Sequence, residues 1–292
     1  MVQILIDSEG DLFIPEVEEG VSWQTDRFGT PGTLKFSIPK ENIGRFEEGD
    51  HVALQIDGKD IFYGFVFTKK SSGKSDMVEV TAYDQLRYLK NKDTYVYEDK
   101  TAGDLIRMLA ADFQLQTGEI EDTGFRIASR VEDNSTLFDI VQNALDLTLT
   151  NTGQMYVLFD DYGKLALKNS SHMALNFLVE PSSGEEYSYT SSIDSGTYNK
   201  VKLSYENSEA GVREIYIAQD SSHMNKWGVL QYYDTVQEGE NGAAKADALL
   251  SLYNQPTRNL TFSNLFGDVN VRAGNLIVVK MDPVSYTHLT LP

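Results

Sequence analysis

The sequence contains no cysteine, which rules out disulfide bonds, a thiolate nucleophile and cysteine-ligated metal centres. It also has no apolar run close to the ~18 residues that a membrane span requires. The first residues include Asp7, Glu9 and Asp11, where a secretory signal would need an unbroken apolar core. We therefore expect a protein that is synthesised and folded in the cytoplasm, without membrane insertion.

Positive charge is scarce. The 292 residues include 25 Lys and Arg against 44 Asp and Glu, and the net charge of −19 is spread evenly along the chain. A protein that binds nucleic acid usually concentrates Lys and Arg on one face, so we expect no stable nucleic-acid binding. Hydrophobic residues make up 41% and aromatic residues 11%, which predicts a folded chain of two or three domains.

Short segments rich in Val, Ile, Phe and Tyr follow one another from Met1 to about Asp84. Turn signals such as Asp57-Gly58 separate them, which is typical of β-strands. The segments are VQILID, TLKFSIP, HVALQID, DIFYGFVFT and MVEVTAY. Regular short strands of this kind predict a small barrel or sandwich, which we place at residues 1–93.

The pattern changes to a helical period after Leu89. TAGDLIRMLAADF predicts a helix in which Thr101 is the N-cap and Asp104 completes a capping box. A second helix is predicted from Ser135 in STLFDIVQNALDL, and MYVLFDDYGKLALK then predicts a hairpin. Residues 94–170 are therefore expected to form an α+β domain inserted into a β protein.

A Ser-rich linker or return segment, residues 171–197, leads to further strand patterns and one helix. Within them, LTFSNLFGDVNVRAGNLIVVKMD (260–282) aligns with LKFSIPKENIGRFEEGDHVALQID (34–57) with a single-residue gap. The turn and closing residues are Gly49, Asp50 and Asp57 in the first copy and Gly274, Asn275 and Asp282 in the second. The repeat predicts two related β domains, the second at residues 198–283.

Residues that could support catalysis do not form a known catalytic pattern. The histidines are His51, His172, His223 and His288, and none has the His-Glu-x-x-His spacing of a metal site. Gly73-Lys74-Ser75 resembles the end of a phosphate loop, but Thr68 stands where that loop requires its first glycine. We expect structural or surface roles for the histidines and a hairpin loop around Lys74.

Paired carboxylates and clustered aromatics leave two further interpretations open. The acidic pairs Asp160-Asp161, Glu185-Glu186 and Glu47-Glu48 could flank a sugar bond or lie in solvated turns, and we expect turns. Trp227, Tyr232 and Tyr233 could form a platform for sugar or belong to a core or subunit interface, and we expect the latter. We predict no catalytic, cofactor or metal site.

Four stretches, in the same order along the chain, resemble a known family. They are VTAYDQLRYLKNKDTYVYEDKTAGDLI (80–106), SSIDSGTYNKVKLSYEN (191–207), KWGVLQYYDTV (226–236), and LYNQPTRNLTF with VRAGNLIVVKM (252–281). Together they are similar to the XkdQ/YqbQ family of prophage and phage-tail-like particles. The resemblance implies a baseplate hub with two tube-type β-barrels in one chain. The expected fold is therefore mainly β with an α+β insertion, and the second barrel is truncated.

The resemblance also implies the assembly in which the protein acts. A homotrimer would present six barrels to the tail tube and three-fold symmetry to the central spike. The implied partners are the tube protein, the spike and other baseplate proteins, including a LysM-containing one. An acidic chain fits a tube lumen through which DNA slides without sticking. We expect a structural hub of a contractile tail and no enzyme; the alternative is a tail-associated cell-wall hydrolase or glycan-binding module.

The last nine residues, VSYTHLTLP (284–292), match nothing in the pattern of that family. Their back-translation resembles a transposon-end adapter used in sequencing, so we expect a sequencing artefact fused to a truncated gene. In the first copy, two more strands follow Asp57 before the barrel is complete near Tyr83. The second copy is therefore expected to lack a hairpin, to leave an unpaired strand edge within 260–283 and to show no packing at 284–292.

Overall fold

The structure is a computed structural model that describes residues 1–207, 211–236, 241–265, 267–280 and 287–290. Its strands and helices fall into three parts, which we call the first β unit, the insertion and the second β unit. No helix in the described ranges is long and apolar enough to cross a membrane.

The first β unit is one antiparallel sheet of seven strands in the order β2-β1-β5-β6-β7-β4-β3. The strands are β1 (Val2–Ser8), β2 (Asp11–Phe13), β3 (Ser22–Gln24), β4 (Thr33–Pro39), β5 (His51–Ile56), β6 (Lys59–Ser71) and β7 (Met77–Tyr83). The five strands predicted from the sequence are confirmed, because alternate residues such as Ile4 and Ile6 of β1 enter one core. Within the described residues, β2 and β3 are not paired with each other, so hydrogen bonds do not close the sheet into a barrel.

The 13-residue strand β6 joins the two halves of this sheet. Its first part pairs with β5 and its last part pairs with β7. Gly64 pairs with Val52 next to Phe65, the residue where the two pairings meet, and a Cβ atom on it would stand 2.3 Å from the carbonyl oxygen of Tyr83. A glycine is therefore required at this position for the backbones to approach so closely.

The insertion contains five strands and two helices, and its two small sheets have the orders β10-β8 and β11-β12-β9. The elements are β8 (Lys92–Lys100), α1 (Ala102–Asp112), β9 (Thr117–Ile120), β10 (Ile127–Thr136), α2 (Leu137–Thr152), β11 (Tyr156–Asp160) and β12 (Leu165–Asn169). Buried residues of both helices, among them Leu105, Ile106, Leu137 and Ile140, form one core with the strands. The insertion therefore has a hydrophobic core of its own, as an α+β domain requires.

Both predicted helices of the insertion are present. Thr101 Oγ1 accepts a hydrogen bond from Asp104 N at 3.1 Å, and Asp104 Oδ2 accepts one from Thr101 N at 3.2 Å, which confirms the predicted capping box. The predicted start of the second helix at Ser135 is wrong, because strand β10 continues through Thr136. That threonine is the N-cap, and the helix begins at Leu137.

The second β unit is divided among three small sheets, β13-β19-β20, β14-β18 and β16-β15-β17. The elements are β13 (Ala174–Val179), β14 (Glu186–Ser192), β15 (Lys200–Asn207), β16 (Val212–Gln219), α3 (Ser221–Trp227), β17 (Gln231–Thr235), α4 (Gly242–Tyr253), β18 (Thr257–Ser263), β19 (Leu276–Val279) and β20 (Thr287–Thr290). Strands β13 and β14 lie in the segment expected to be a linker, and they pair with β19 and β18. The return segment therefore supplies strands to the second β unit.

The strand edges near the C-terminus differ in part from expectation. Strand β19 has a parallel partner in β13 and an antiparallel partner in β20, so the expected lack of packing is wrong for Thr287–Thr290. Their backbone satisfies an edge of β19 that would otherwise be open. Residues 284–286 and 291–292 lie outside the described residues. Within the described part of the chain, β18 pairs only with β14, which leaves its other edge unpaired.

Candidate functional site at the interdomain junction

The first repeat turn runs from Glu47 to Asp50. Asp50 N donates to the carbonyl oxygen of Glu47 at 3.2 Å, and Glu47 N donates to the Asp50 carboxylate at 2.7 Å. Gly49, the third residue, has a φ of 103°. A positive φ at the third residue is typical of a type II turn, and a glycine adopts it without a steric cost.

The second repeat turn, Arg272 to Asn275, has the same hydrogen bonds. Asn275 N donates to the carbonyl oxygen of Arg272 at 3.2 Å, and Arg272 N donates to Asn275 Oδ1 at 2.7 Å. Gly274 has a φ of 90°. The two turns therefore share the positive φ of the glycine, the backbone hydrogen bond and the side-chain bond that closes them. Asp57 ends the first copy with a φ of 51°, whereas Asp282 lies outside the described residues.

The two turns differ in what surrounds them. A Cβ atom on Gly49 would meet no atom within 4 Å, so the first turn is open. A Cβ atom on Gly274 would stand 2.6 Å from the Val157 side chain of the insertion. Ala273 N donates to Thr25 Oγ1 of the first β unit at 3.0 Å, and Asn275 Nδ2 donates to the carbonyl oxygen of Met173 at 3.0 Å. The second turn thus lies where all three parts of the chain meet, a region we call the junction.

Arg272 is the largest side chain that the second turn brings into the junction. Its Nη2 donates to the carbonyl oxygen of Asp160 at 2.6 Å, and its guanidinium carbon lies 4.3 Å from the ring centroid of Phe159. Nη1 is 4.0 Å from the Asp161 carboxylate. Burial lowers the pKa of Arg272, and the nearby carboxylates oppose that effect. The guanidinium is therefore held by a carbonyl, an aromatic face and negative charge together.

Asp84 lies on the first β unit's side of the junction and is buried. Its carboxylate accepts hydrogen bonds from Gly32 N at 2.9 Å and from Leu86 N at 3.1 Å. Burial raises the pKa of Asp84 well above its usual range, and the charge of Asp160 raises it further. The two backbone donors and Arg272 act in the opposite direction.

Asp160 ends strand β11 and is also buried. Its Oδ1 accepts a hydrogen bond from Gly163 N at 2.7 Å, while its buried Oδ2 has no hydrogen-bond partner among the described residues. The neighbouring Gln85 amide donates to the carbonyl oxygens of Gln116 at 2.9 Å and Gly163 at 2.8 Å, and its proximity lowers the pKa of Asp160. Burial raises the pKa of Asp160 to about 6, against the effects of Gly163 N and Arg272.

The junction therefore combines two buried carboxyl groups with one buried guanidinium. This arrangement leaves an excess of negative charge when both carboxyls ionise, so the electrostatic energy of the junction depends on pH. Its geometry fixes the relative position of the first β unit, the insertion and the second β unit. We regard the junction as a structural site that sets the spacing between the two repeat copies.

The histidines, for which structural or surface roles were expected, lie in separate places. His51 stacks on Tyr63 at 5.3 Å, His172 Nδ1 lies 2.9 Å from Glu121, and His223 stacks on Trp227 at 4.0 Å. The side chain of His288 lies outside the described residues. Among the described residues, no cluster of three or more His, Asp or Glu could hold a metal ion. The segment around Lys74 connects β6 to β7, so the predicted hairpin loop is confirmed.

The three acidic pairs lie in three different parts of the fold, and the expectation of a solvated turn is wrong for Asp160. Asp160 is buried, whereas the Asp161 side chain is 66% exposed, so their carboxyls occupy different environments. The exposed Glu47 lies in the first turn, and Glu185 and Glu186 lie at the start of β14.

The aromatic residues near Trp227 separate onto different surfaces. Tyr232 stacks on Tyr253 at 5.6 Å and packs with the core of the second β unit. Tyr233, the next residue in β17, points to the opposite face and shares a hydrogen bond of 2.8 Å with Ser204. The expectation of core packing therefore holds for Tyr232, whereas Tyr233 is 53% exposed.

Arg272 and Asp84 were not singled out from the sequence. The repeat alignment places Arg272 opposite Glu47, and this reversal of charge between matched positions was the available signal. Asp84 directly follows β7 and precedes a short helical turn, a position typical of an ordinary helix cap. Its side chain does accept a hydrogen bond from Leu86 N.

The fold is shared with prophage tail proteins of known structure. The chain superimposes on the 43 kDa tail protein of prophage MuSo2 from Shewanella oneidensis with a TM-score of 0.64, 12% identity and coverage of 95% of this chain and 88% of that one. A tail protein from Neisseria meningitidis gives a TM-score of 0.68 at 14% identity, with 99% and 90% covered. The prophage tail protein gp18 from Listeria monocytogenes gives 0.62 at 12% identity, with 99% and 88% covered.

The chain belongs to the YqbQ-like family, whose model matches residues 21–291. The uncharacterized protein YqbQ of Bacillus subtilis is 34% identical over 250 residues, which cover 83% of this chain and 75% of that protein. The phage-like element PBSX protein XkdQ of Bacillus subtilis is 31% identical over 291 residues, which cover 96% and 88%. The resemblance drawn from the four sequence stretches is thereby confirmed.

Proposed function

We propose that the chain is a structural, non-enzymatic baseplate hub of a contractile phage tail or phage-tail-like particle, which connects the tail tube to the central spike. Membership of the YqbQ-like family and a fold shared with prophage tail proteins support a role in a tail. The observation that carries the hub assignment is the repeated turn: Gly49 and Gly274 lie in turns with the same hydrogen bonds, one in each β unit.

A hub has to join a six-fold tube to a three-fold spike. Three chains with two related β units each offer six similar surfaces and a three-fold axis, so we infer a homotrimer of tube-type barrels at 1–93 and 198–283. Closed rings need complementary faces on neighbouring chains, and unpaired strand edges can provide them. Among the described residues, β2, β3 and β18 each have an unpaired edge.

The surroundings of such a hub agree with the charge of the chain. A net charge of −19 keeps the protein from retaining DNA, because like charges repel the phosphates. The partners that we propose are the tube protein, the spike and other baseplate proteins, including a LysM-containing one. The chain would be synthesised in the host cytoplasm and assembled into the baseplate.

The hub proposal is tested by measuring the oligomeric state of the chain alone and in complex with the tube and spike proteins. The full chain is purified alone and together with the tube and spike proteins of the same phage or particle, and the masses are measured by light scattering and native mass spectrometry. We expect three copies in any complex that contains the tube or the spike. A chain that stays monomeric at high concentration and in the presence of both partners would overturn the proposal.

A second assay separates a structural hub from a cell-wall hydrolase. The full chain is incubated with purified peptidoglycan, and soluble muropeptides are measured by chromatography. We expect none to be released. Release that disappears in a variant with Asp160→Asn and Asp161→Asn, but persists in Glu185→Gln, would show that the chain is an enzyme.

A further inference from the structure

The outward face of the first β unit is unusually aromatic. Along β6, Phe62 and Val66 enter the core, whereas Tyr63, Phe65 and Phe67 alternate with them on the other face and are half-buried. An antiparallel sheet with one face on a core usually presents polar side chains on its other face. This face of β6 therefore has an apolar character that the fold of the first β unit alone does not require.

These rings belong to a connected cluster. The ring of His51 lies 4.8 Å from that of Phe65 and 5.3 Å from that of Tyr63. Tyr88 meets Phe65 edge to face at 5.8 Å. Rings at these separations and angles hold one another in place, because such arrangements suit their quadrupoles. The cluster is thus a preorganised aromatic wall.

The insertion completes a cavity in front of this wall. Phe113 and the segment from Gln114 to Gln116 face the wall across a space of about 400 Å³. We call this space the aromatic groove, and its principal residues are His51, Tyr63, Phe65, Tyr88, Phe113 and Gln116. Its volume lies in the range of small-molecule sites, which is about 300–1,000 Å³.

Several polar side chains that line the aromatic groove make no hydrogen bond within the described part of the chain. His51 Nδ1 is buried and has no hydrogen-bond partner in the described part of the chain. The hydroxyl groups of Tyr63 and Tyr88 and the side-chain amides of Gln114 and Gln116 likewise make no hydrogen bond to the described residues. Burial raises the pKa of Tyr63 and of Tyr88, so both phenols remain protonated at neutral pH.

The chemistry of this lining selects the class of ligand. No Asp, Glu, Lys or Arg lines the groove, so it offers no partner for a phosphate, a carboxylate or an ammonium group. Aromatic faces suit the apolar C–H face of a sugar ring, while phenol, amide and imidazole groups can donate to or accept from hydroxyls. A proline-rich peptide would also fit aromatic faces, but its carbonyls only accept, which would leave the amide oxygens without donors.

We propose that the aromatic groove binds a neutral saccharide. The sugar ring stacks on the wall formed by Tyr63, Phe65 and Tyr88. Its hydroxyls bond with the phenol groups of Tyr63 and Tyr88 and with the side-chain amides of Gln114 and Gln116. Binding requires no hydrolysis and no partner chain, so it is tested independently of the hub function.

The test uses the full chain and a panel of chitotriose, cellotriose, maltotriose and mannotriose, with decaproline as the competing ligand class. Binding is measured by saturation-transfer NMR and titration calorimetry, and retention on insoluble peptidoglycan distinguishes a cell-wall source from free sugar. We expect saturation transfer to ring C–H protons of at least one trisaccharide. Tyr88→Ala is expected to weaken its binding about tenfold, which corresponds to about 1.4 kcal/mol.

Two sets of variants keep the result interpretable. Tyr233→Ala removes an exposed tyrosine of β17 outside the groove and is expected to leave binding unchanged. Gln114→Ala combined with Gln116→Ala removes exposed side chains without internal hydrogen bonds, so it should weaken binding without lowering the melting temperature. Absence of binding for all four sugars, binding of decaproline instead, or equal binding by the groove variants and Tyr233→Ala would overturn the proposal.

Discussion

Gly274 lies so close to Val157 that a Cβ atom at position 274 would stand 2.6 Å from Cγ1 of that valine. We predict that Gly274→Ala lowers the free energy of unfolding by about 1–2 kcal/mol through its positive φ and by about 1–3 kcal/mol more through the clash. The measurement is urea denaturation followed by circular dichroism.

Gly49→Ala is the matched control, because Gly49 has a similar φ but no neighbour within 4 Å. It should show the backbone effect of about 1–2 kcal/mol alone. Val157→Ala should relieve part of the loss in Gly274→Ala when the two are combined. Equal losses for the two glycine variants would mean that the contact with Val157 does not constrain the turn.

The buried carboxyl of Asp160 predicts a pH dependence of stability. Its pKa is about 6 in the folded chain, and that of an unfolded aspartate is about 3.9. Between about pH 4 and about pH 6 the folded state binds more protons, so this group's contribution to stability falls as the pH rises. Asp160→Asn cannot ionise, and we expect its stability relative to the unmodified chain to rise by about 3 kcal/mol from about pH 4 to about pH 7.

Thermal or urea unfolding at a series of pH values measures this difference directly. Asp161→Asn is the control, because its carboxyl is adjacent in sequence but largely exposed. Its curve should run nearly parallel to that of the unmodified chain. A parallel curve for Asp160→Asn as well would refute the assignment of a raised pKa to the junction.

Removal of the capping box of helix α1 is expected to lower the free energy of unfolding by a modest amount. Thr101→Ala removes the acceptor for Asp104 N and should lower the free energy of unfolding by about 1 kcal/mol. Thr101→Ser keeps the hydroxyl group and should retain most of the stability. Both are measured by urea denaturation, and equal losses would indicate that the methyl group of the buried threonine, not the cap, is responsible.

Substitution of Asn199 is expected to lower the free energy of unfolding by more, because its fully buried side chain holds the loop before β17 through two hydrogen bonds. Its Nδ2 donates to the carbonyl oxygen of Gly228 at 2.7 Å, and its Oδ1 accepts from Leu230 N at 2.9 Å. Asn199→Ala leaves both backbone groups without partners and should cost about 2–4 kcal/mol. Asn259→Ala, on the exposed side of β18, should change stability by less than about 0.5 kcal/mol. Similar melting temperatures for the two variants would contradict this role.

Features set by neighbouring residues could be predicted from the sequence. The alternation in β6 and the box between Thr101 and Asp104 depend on positions a few residues apart, so the local pattern determines them. The helix start predicted at Ser135 was wrong because the choice between strand and helix there depends on pairing with β8, about 40 residues earlier in the chain.

Features set by distant contacts could not be predicted. Arg272 and Asp160 are 112 residues apart, and nothing in either local sequence indicates that they meet. The Ser-rich segment around Tyr187 has the composition of a linker, yet it forms β14 because β18 supplies its hydrogen bonds. The aromatic groove was missed for the same reason, since its walls come from the first β unit and the insertion.

The hydrogen bond from Ala273 N to Thr25 Oγ1 spans 248 positions of the chain, so it can form only after most of these residues have been synthesised. During translation the first β unit and the insertion leave the ribosome before Arg272 is synthesised, and domains generally fold as units in that order. Until then Asp84 and Asp160 face each other without their guanidinium partner. The nascent chain must therefore hold this pair protonated or hydrated until the segment that carries Arg272 has been synthesised and packs against it.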